Sequence, residues 1–174
     1  MGGNVGAGFA HTRYASSDDL EKLGQLGENF RVNGIPYKLV QVHTSCTNSV
    51  IAAGEVLYYT ATENVVTNTV AQGVSNSVDH YAGVAPADLI ASVPQSVSSG
   101  ATYYMLMQIG GRNSAVKTNG DDDIAAGDQI IAIGNGTCDS AAAGTAIKPS
   151  FIGSAAAADV DAANTVAVNM RFCG

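Results

Sequence analysis

The sequence predicts an all-β fold, a compact β-barrel or sandwich of about nine short strands. From Ile35 onward, apolar residues recur with a period of two rather than 3.6. These runs are rich in β-branched and aromatic residues, and glycine, proline or asparagine separates them. No segment after residue 34 has the pattern of a long amphipathic helix. Short strands at this spacing are typical of barrels and sandwiches.

Nine segments carry the strand pattern. The run TYYMLMQI is apolar almost throughout, which indicates a strand that is buried on both faces. Asn119-Gly120 and Gly134-Asn135-Gly136 follow two of the segments and are strong reverse-turn signals. The nine segments are 37–42, 56–62, 64–70, 79–85, 102–109, 114–118, 129–133, 149–154 and 164–172.

Residues 1–34 differ from the β-rich body at 35–174, and we expect them to form an extended N-terminal arm. The stretch SSDDLEKLG predicts a short helix, since Ser17 can cap its start and Gly24 can end it. Such a helix has only about two turns and is marginal alone. The following residues, up to the turn signal Asn33-Gly34, are expected to form a loop.

One five-residue unit, Ile-Ala-Ala-Gly-acid, occurs at 51–55 and again at 124–128, each time before a predicted strand. Its isoleucine can anchor in the core, its glycine can supply a positive φ, and its acid can accept N–H groups of the turn. The later segments GVAPAD and GSAAAAD also echo each other. We interpret the unit as the mark of a weak internal duplication of a β-unit, with a ligand-binding loop as the alternative.

Composition limits the possible functions. Charged residues make up only 13% of the 174 residues, so the surface is either rich in small polar residues or covered by other subunits. The net charge of −7 lies entirely after residue 40 and disfavours binding to nucleic acid. No apolar stretch is long enough for a transmembrane helix, and the start lacks a signal-peptide pattern. We therefore expect synthesis in a cytoplasm and no membrane partner.

The sequence contains no recognisable catalytic or cofactor-binding motif, so we expect no enzyme, no cofactor and no metal site. His43 and Cys46 have the spacing of half a metal site, but no second pair completes it. A Cys–His couple formed in space between His80 and Cys46 or Cys138 stays open as an alternative. The run 121–123, three aspartates, is typical of a solvated hairpin tip, with an adventitious cation as the alternative.

Tyrosine pairs and cysteines supply the remaining candidates. Adjacent strand residues face opposite sides, so each Tyr-Tyr pair places one ring in the core and one outward. The outward ring would lie in a subunit interface, on a simple barrel surface or against a sugar. The absence of tryptophan weakens the sugar interpretation. Three cysteines cannot all pair within one chain, which favours buried free thiols, with an intermolecular disulfide at Cys173 as the alternative. The candidate interface residues are Arg13, Tyr14, Phe30, Arg31, Tyr59 and Tyr104.

The order of short motifs resembles that of a known family. These motifs are GIPYKLVQV, IAAGEVLYYT, AGVA, YYMLMQIGGR and IAAGDQI, and they extend over about residues 35–135. Their order and composition resemble the small β-rich capsid decoration (cement) proteins of tailed bacteriophages. The N-terminal arm and the alanine-rich stretch at 141–163 are not part of the resemblance.

The resemblance implies a structural virion protein that binds the outer surface of an assembled icosahedral capsid and stabilises it, as a homotrimer. Its partners would then be the major capsid protein and further copies of itself, and its location the virion. The alternative function is a carbohydrate- or receptor-binding β-module of a phage head fibre or other surface appendage. The two differ in whether the outward tyrosines meet protein or sugar.

Overall fold

The computed structural model describes residues 14–16, 24–70, 80–89, 91–120, 124–141, 150–159 and 164–172, and it confirms the all-β fold class. Thr47–Ser49 forms a short 3-10 turn. The strands are β1 (Tyr14–Ser16), β2 (Asn29–Val32), β3 (Ile35–Val42), β4 (Val50–Ile51), β5 (Val56–Tyr59), β6 (Val65–Thr67), β7 (Tyr81–Val84), β8 (Val93–Pro94), β9 (Tyr103–Gln108), β10 (Gly111–Lys117), β11 (Gln129–Gly134), β12 (Thr137–Ser140), β13 (Phe151–Ala155) and β14 (Thr165–Met170).

All nine predicted segments contain a strand, and five further short strands exceed the predicted number. The five additions, β1, β2, β4, β8 and β12, have two to four residues each, too few to show a period of two. The predicted loop before Gly34 is wrong over β2. Asn33 and Gly34 adopt positive φ values of 49° and 82° and fold β2 back onto β3 as a hairpin.

Five strands form a closed ring, which we call the first barrel. Around the ring they run β3-β9-β7-β5-β6, and β6 pairs again with β3. The closing contact is parallel and joins Gln41 to Val65 and Val42 to Val66. The strands β1 and β2 extend this sheet at β9 and β3, and the pair β4-β8 forms a separate two-stranded sheet.

The strands β10 to β14 repeat this topology, and we call them the second barrel. They run β10-β14-β13-β11-β12, so the first, fifth, fourth, second and third strands of the unit are neighbours, as in the first barrel. An isolated parallel bridge between Thr118 and Cys138 replaces the longer β3–β6 contact. A register shift also occurs at the same place in both units. It lies before Tyr58 where β5 pairs with β7, and before Ile131 where β11 pairs with β13. The expected internal duplication is therefore confirmed.

Apolar side chains fill the two barrels in the same way. Every second residue of each strand points inward, and these apolar side chains exclude water from the barrel interior. The interior of the first barrel is formed by Val40, Val42, Leu57, Val66, Met105 and Met107. The corresponding residues of the second barrel are Val116, Ile130, Cys138, Ile152, Val166 and Val168.

The outer face of the first barrel at β5 and β7 packs against the second barrel. Val56, Tyr58, Tyr81 and Val84 belong to the same buried cluster as the interior of the second barrel. Tyr58 is fully buried there, although its position in β5 is opposite in parity to the inward-facing Leu57. The first barrel thus covers the side of the second barrel where β10 and β12 are joined only by the bridge between Thr118 and Cys138.

Candidate functional site

The two Ile-Ala-Ala-Gly-acid units form matching turns. In the first, the backbone N–H of Ala52 donates to Oε2 of Glu55 over 3.0 Å. In the second, the N–H of Ala125 donates to Oδ2 of Asp128 over 2.9 Å. Each acid therefore caps the turn that precedes its strand, as the sequence predicts. The glycines of the two turns, Gly54 and Gly127, have φ values of 75° and 95°.

Backbone hydrogen bonds fix the two turns to their barrels in the same way. The N–H of Gly54 donates to the carbonyl of Ala85, and that of Gly127 donates to the carbonyl of Ala155. These acceptors end the segments GVA and GSA, whose similarity is visible in the sequence. The repeated unit is thus a structural turn that ties the second strand of each barrel to the fourth.

Glu55 has a second role that Asp128 does not share. Its Oε1 forms an ion pair of 2.9 Å with Nζ of Lys117 in the second barrel, and its Oε2 accepts a 2.7 Å hydrogen bond from Asn68. The Glu55 side chain is 12% exposed and that of Lys117 38%. In the part of the chain that the structure describes, Asp128 forms no ion pair. The first turn therefore lies at the joint between the barrels, whereas the second does not.

Three further hydrogen bonds hold this joint. The backbone N–H of Gly134 donates to the hydroxyl oxygen of Tyr58 over 2.8 Å. The N–H of Val56 donates to the carbonyl of Gly136 over 2.8 Å, and the N–H of Lys117 donates to that of Gly54 over 2.9 Å. Sequence reasoning missed Lys117 and the role of Tyr58, since only the packing of one barrel on the other brings these groups together.

Two predicted interface residues, Phe30 and Tyr104, lie in one apolar cluster on the outer side of β3 and β9. Phe30 is half-buried, whereas Tyr104 is only 9% exposed. Tyr104 points away from the barrel interior, as the alternation predicts, but it packs with Leu39 and Leu106. Its ring therefore offers little area to a partner, and Phe30 is the more accessible of the two.

Tyr59 and Arg31 lie apart from this cluster. Tyr59 is half-buried against the interior cluster of the first barrel. Its hydroxyl accepts a 3.1 Å hydrogen bond from Nζ of Lys38, which also lies 5.3 Å from the centre of its ring. Arg31 is exposed on β2, and its guanidinium donates to the carbonyl of Gly34 over 3.4 Å.

Of the other predicted positions, the structure describes Tyr14. Tyr14 lies in β1, where its backbone is opposite Met105. Arg13 and Cys173 lie outside the described residues, as do the predicted helix between Ser17 and Gly24 and the triple aspartate at 121–123.

Cys46 and Cys138 are free thiols. Burial raises the pKa of Cys138 to about 12, and the neighbouring carboxylate of Asp139 adds to this increase. Burial also raises the pKa of Cys46. Both groups are therefore neutral thiols near neutral pH, which is the opposite of what a catalytic nucleophile needs.

A pocket of about 360 Å³ opens between β3, β9 and β10. The buried side-chain amides in its wall are hydrogen-bonded within the protein. Gln108 donates to the carbonyls of Gly110 and Arg112, and Asn113 donates to the side-chain oxygen of Gln108. Burial, and to a smaller extent Asp88, raises the pKa of the Tyr37 phenol, so this group stays protonated. Neither these amides nor the protonated Tyr37 phenol can act as a general base in the pocket.

The described residues contain no group of three side chains that could hold a metal ion. His43 and Cys46 instead belong to a tight turn, in which Nδ1 of His43 accepts the backbone N–H of Ser45 over 3.1 Å. No helix in the described part of the chain is long and apolar enough to cross a membrane. Comparison with protein-family models and with curated proteins gives no match for this chain.

Proposed function

We propose that this chain is a structural, non-enzymatic virion protein. In this proposal it binds the outer surface of an assembled icosahedral phage capsid as a homotrimer and stabilises the shell. Its partners are the major capsid protein and its own copies, with no nucleic acid or membrane component. The protein is made in the host cytoplasm and ends in the virion.

One observation carries this proposal. The motifs that resemble the capsid decoration proteins are the segments that build the barrels: β3, the turn at Gly54, β7, β9 and the turn at Gly127. The similarity therefore concerns the fold-determining parts of about one hundred residues rather than scattered surface positions. The two joined barrels also form a body with few charges, which suits a protein surrounded by other subunits.

The mechanism in this proposal is mechanical. A trimer that contacts several capsid subunits gains avidity, because after the first contact the others form at a high effective concentration. If the protein binds the assembled shell and not its free subunits, binding stabilises the shell by mass action. The described candidates for such contacts are Tyr14, Phe30, Arg31 and Tyr59, and Arg13 is a further candidate.

Co-sedimentation with expanded, DNA-free capsids of the phage that encodes the chain tests the proposal. The full chain should sediment with the shells to a saturating ratio. A variant that lacks residues 1–13 keeps β1 and β2, so it should fold normally but bind the shells more weakly. Binding of the full chain to a glycan array without binding to shells would instead support the carbohydrate-binding alternative and reject the capsid proposal.

A further inference from the structure

An amine, a carboxylate and a carboxamide meet at the joint between the two barrels. The carboxylate of Glu55 lies between the other two groups: Oε1 is 2.9 Å from Nζ of Lys117, and Oε2 accepts the 2.7 Å hydrogen bond from Nδ2 of Asn68. Amide-bond formation between two side chains uses these three groups, namely an amine that attacks, a carboxamide that is attacked and a proton carrier in contact with both.

The site is shielded from water on the side of the carboxamide. Asn68 is fully buried, and the Glu55 side chain is only 12% exposed, whereas that of Lys117 is 38% exposed. Lys117 therefore reaches inward from the surface toward a buried amide. Exclusion of water at Asn68 favours attack by the amine over hydrolysis of the carboxamide.

The hydrogen bonds of Asn68 fix its carboxamide and prepare it for attack. Its Oδ1 accepts the backbone N–H of Thr47 over 2.8 Å, and its Nδ2 donates to the carbonyl of Val50 over 3.0 Å as well as to Glu55. An N–H on the carbonyl oxygen stabilises the negative charge that develops there when Cγ is attacked. The carboxyl group beside Nδ2 is placed to protonate the leaving nitrogen.

The backbone brings Lys117 to this site. The N–H of Lys117 donates to the carbonyl of Gly54 over 2.9 Å. This approach depends on the glycine, because a methyl group at Gly54 would overlap the carbonyl oxygen of Ala115 in the same strand, β10. The lysine stem is flexible, so Nζ can move from Oε1 of Glu55 onto Cγ of Asn68 while the carboxamide stays fixed.

The second barrel shows that the turn itself does not require this arrangement. Asp128 caps its turn through the N–H of Ala125, as Glu55 does through that of Ala52. Strand register places Ser140 at the position that Asn68 occupies in the first barrel. An acid can therefore cap this turn without a carboxamide beside it, which leaves the amide and the amine at Glu55 to serve another purpose.

We propose that Lys117 and Asn68 form an intramolecular isopeptide bond, with Glu55 as the catalytic acid and base. The Lys117 ammonium gives a proton to Oε1 of Glu55, and the neutral amine attacks Cγ of Asn68. Glu55 delivers that proton to Nδ2 and takes another from Nζ as the Cγ–Nδ2 bond breaks, then passes it to the departing ammonia. The products are one amide bond between Nζ and Cγ and one ammonium ion, and Glu55 is again a carboxylate.

The bond ties the chain just after β6 in the first barrel to the last residue of β10 in the second. It closes a covalent loop from residue 68 to residue 117, which restricts the unfolded chain as a disulfide does. The reaction occurs once per chain and turns over no external substrate, so it is compatible with a structural protein. It needs no capsid, and its presence or absence leaves the proposed function to be decided by capsid binding.

Intact-mass spectrometry of the purified full chain tests this bond. The wild type should be about 17 Da lighter than its sequence requires, since one ammonia is lost when the amine displaces it. Lys117→Arg and Glu55→Gln should each have the mass of their own sequence, because the first lacks the nucleophile and the second lacks the proton carrier. Lys38→Arg is the matched control: Lys38 contacts Tyr59 instead, so this variant should keep the loss.

Peptide mapping then locates the bond. Lys117 should resist trypsin, and further digestion with chymotrypsin should yield one branched peptide that contains both Lys117 and Asn68. A wild type of full mass would overturn the inference. So would an ammonia loss that persists in Lys117→Arg, since it would then come from another asparagine, as in succinimide formation at an Asn-Gly sequence. If circular dichroism shows that Glu55→Gln is unfolded, the wild type and Lys117→Arg, which keeps a positive charge beside Glu55, decide the question.

Discussion

The hydroxyl of Tyr58 and the backbone N–H of Gly134 form a buried 2.8 Å hydrogen bond that links the two barrels. Tyr58 is fully buried, and burial raises the pKa of its phenol, so the hydroxyl stays protonated at physiological pH. The bond satisfies an amide that has no access to water. It is one of the contacts that join the two similar barrels.

Replacing Tyr58 with phenylalanine should lower the free energy of unfolding by about 1–3 kcal/mol, because the amide of Gly134 would be left buried without an acceptor. Urea unfolding followed by circular dichroism measures the change. Tyr104→Phe is the matched control, since no hydrogen bond of the Tyr104 hydroxyl occurs within the described structure. Equal stability of the two variants would show that the Tyr58 bond does not stabilise the joint.

Alanine substitutions at Gly54 and Gly127 should have unequal effects. At both positions alanine must adopt a positive φ, which costs about 1–2 kcal/mol. At Gly54 the new methyl group also overlaps Ala115 of the second barrel, and relieving that overlap should cost about 1–3 kcal/mol more. Thermal unfolding of the two variants measures the difference. Equal losses would contradict the different surroundings of the two turns.

Removing the amide of Asn68 should destabilise the first turn. This buried side chain donates to Glu55 and to the carbonyl of Val50, and it accepts the N–H of Thr47. Asn68→Ala should lower the free energy of unfolding by about 1–3 kcal/mol, because buried polar groups lose their partners. Chemical unfolding provides the measurement, and a change within error of zero would show that water replaces the amide.

Cys138 should react with iodoacetamide only after unfolding. Its side chain is fully buried, and the thiol is neutral below its raised pKa of about 12. Peptide mapping after treatment at pH 8 should find this cysteine unmodified in the native protein and modified in guanidinium chloride. Rapid labelling of the native protein would mean that the second barrel opens readily.

The same shift predicts a stability loss at alkaline pH. Unfolded Cys138 releases its proton near pH 9, whereas the folded protein retains it until about pH 12. Above pH 9 the unfolded state therefore binds fewer protons, and the free energy of unfolding falls as the pH rises. Cys138→Ala should reduce this slope. An unchanged slope in that variant would assign the alkaline loss to other groups.

The sequence was sufficient for nine of the fourteen strands and for the duplication, because period-two patterns and glycine turns are local properties. β3, β9 and β14 are long enough to show that pattern, whereas two-residue strands such as β4 and β8 are not. The hairpin of β2 was missed even though its turn, Asn33-Gly34, was recognised, since NFRV alone does not alternate clearly.

The joint could not be predicted, because it depends on how one barrel packs against the other. Glu55 and Asp128 have the same local pattern, yet only Glu55 finds a lysine of the other barrel. Tyr104 was correctly assigned to the outer side of its strand, but alternation alone did not reveal that β3 and β9 together bury it. The local pattern predicts on which side of a strand a side chain lies, whereas tertiary packing decides how exposed that side chain is.

The proposal that this chain stabilises an assembled capsid is tested most directly by the temperature at which expanded, DNA-free shells disrupt. Differential scanning calorimetry should compare shells alone with shells saturated by the purified protein. The proposal predicts a higher disruption temperature with the protein bound, and a rise that levels off at a fixed number of copies per shell. An unchanged disruption temperature at saturating protein would contradict it.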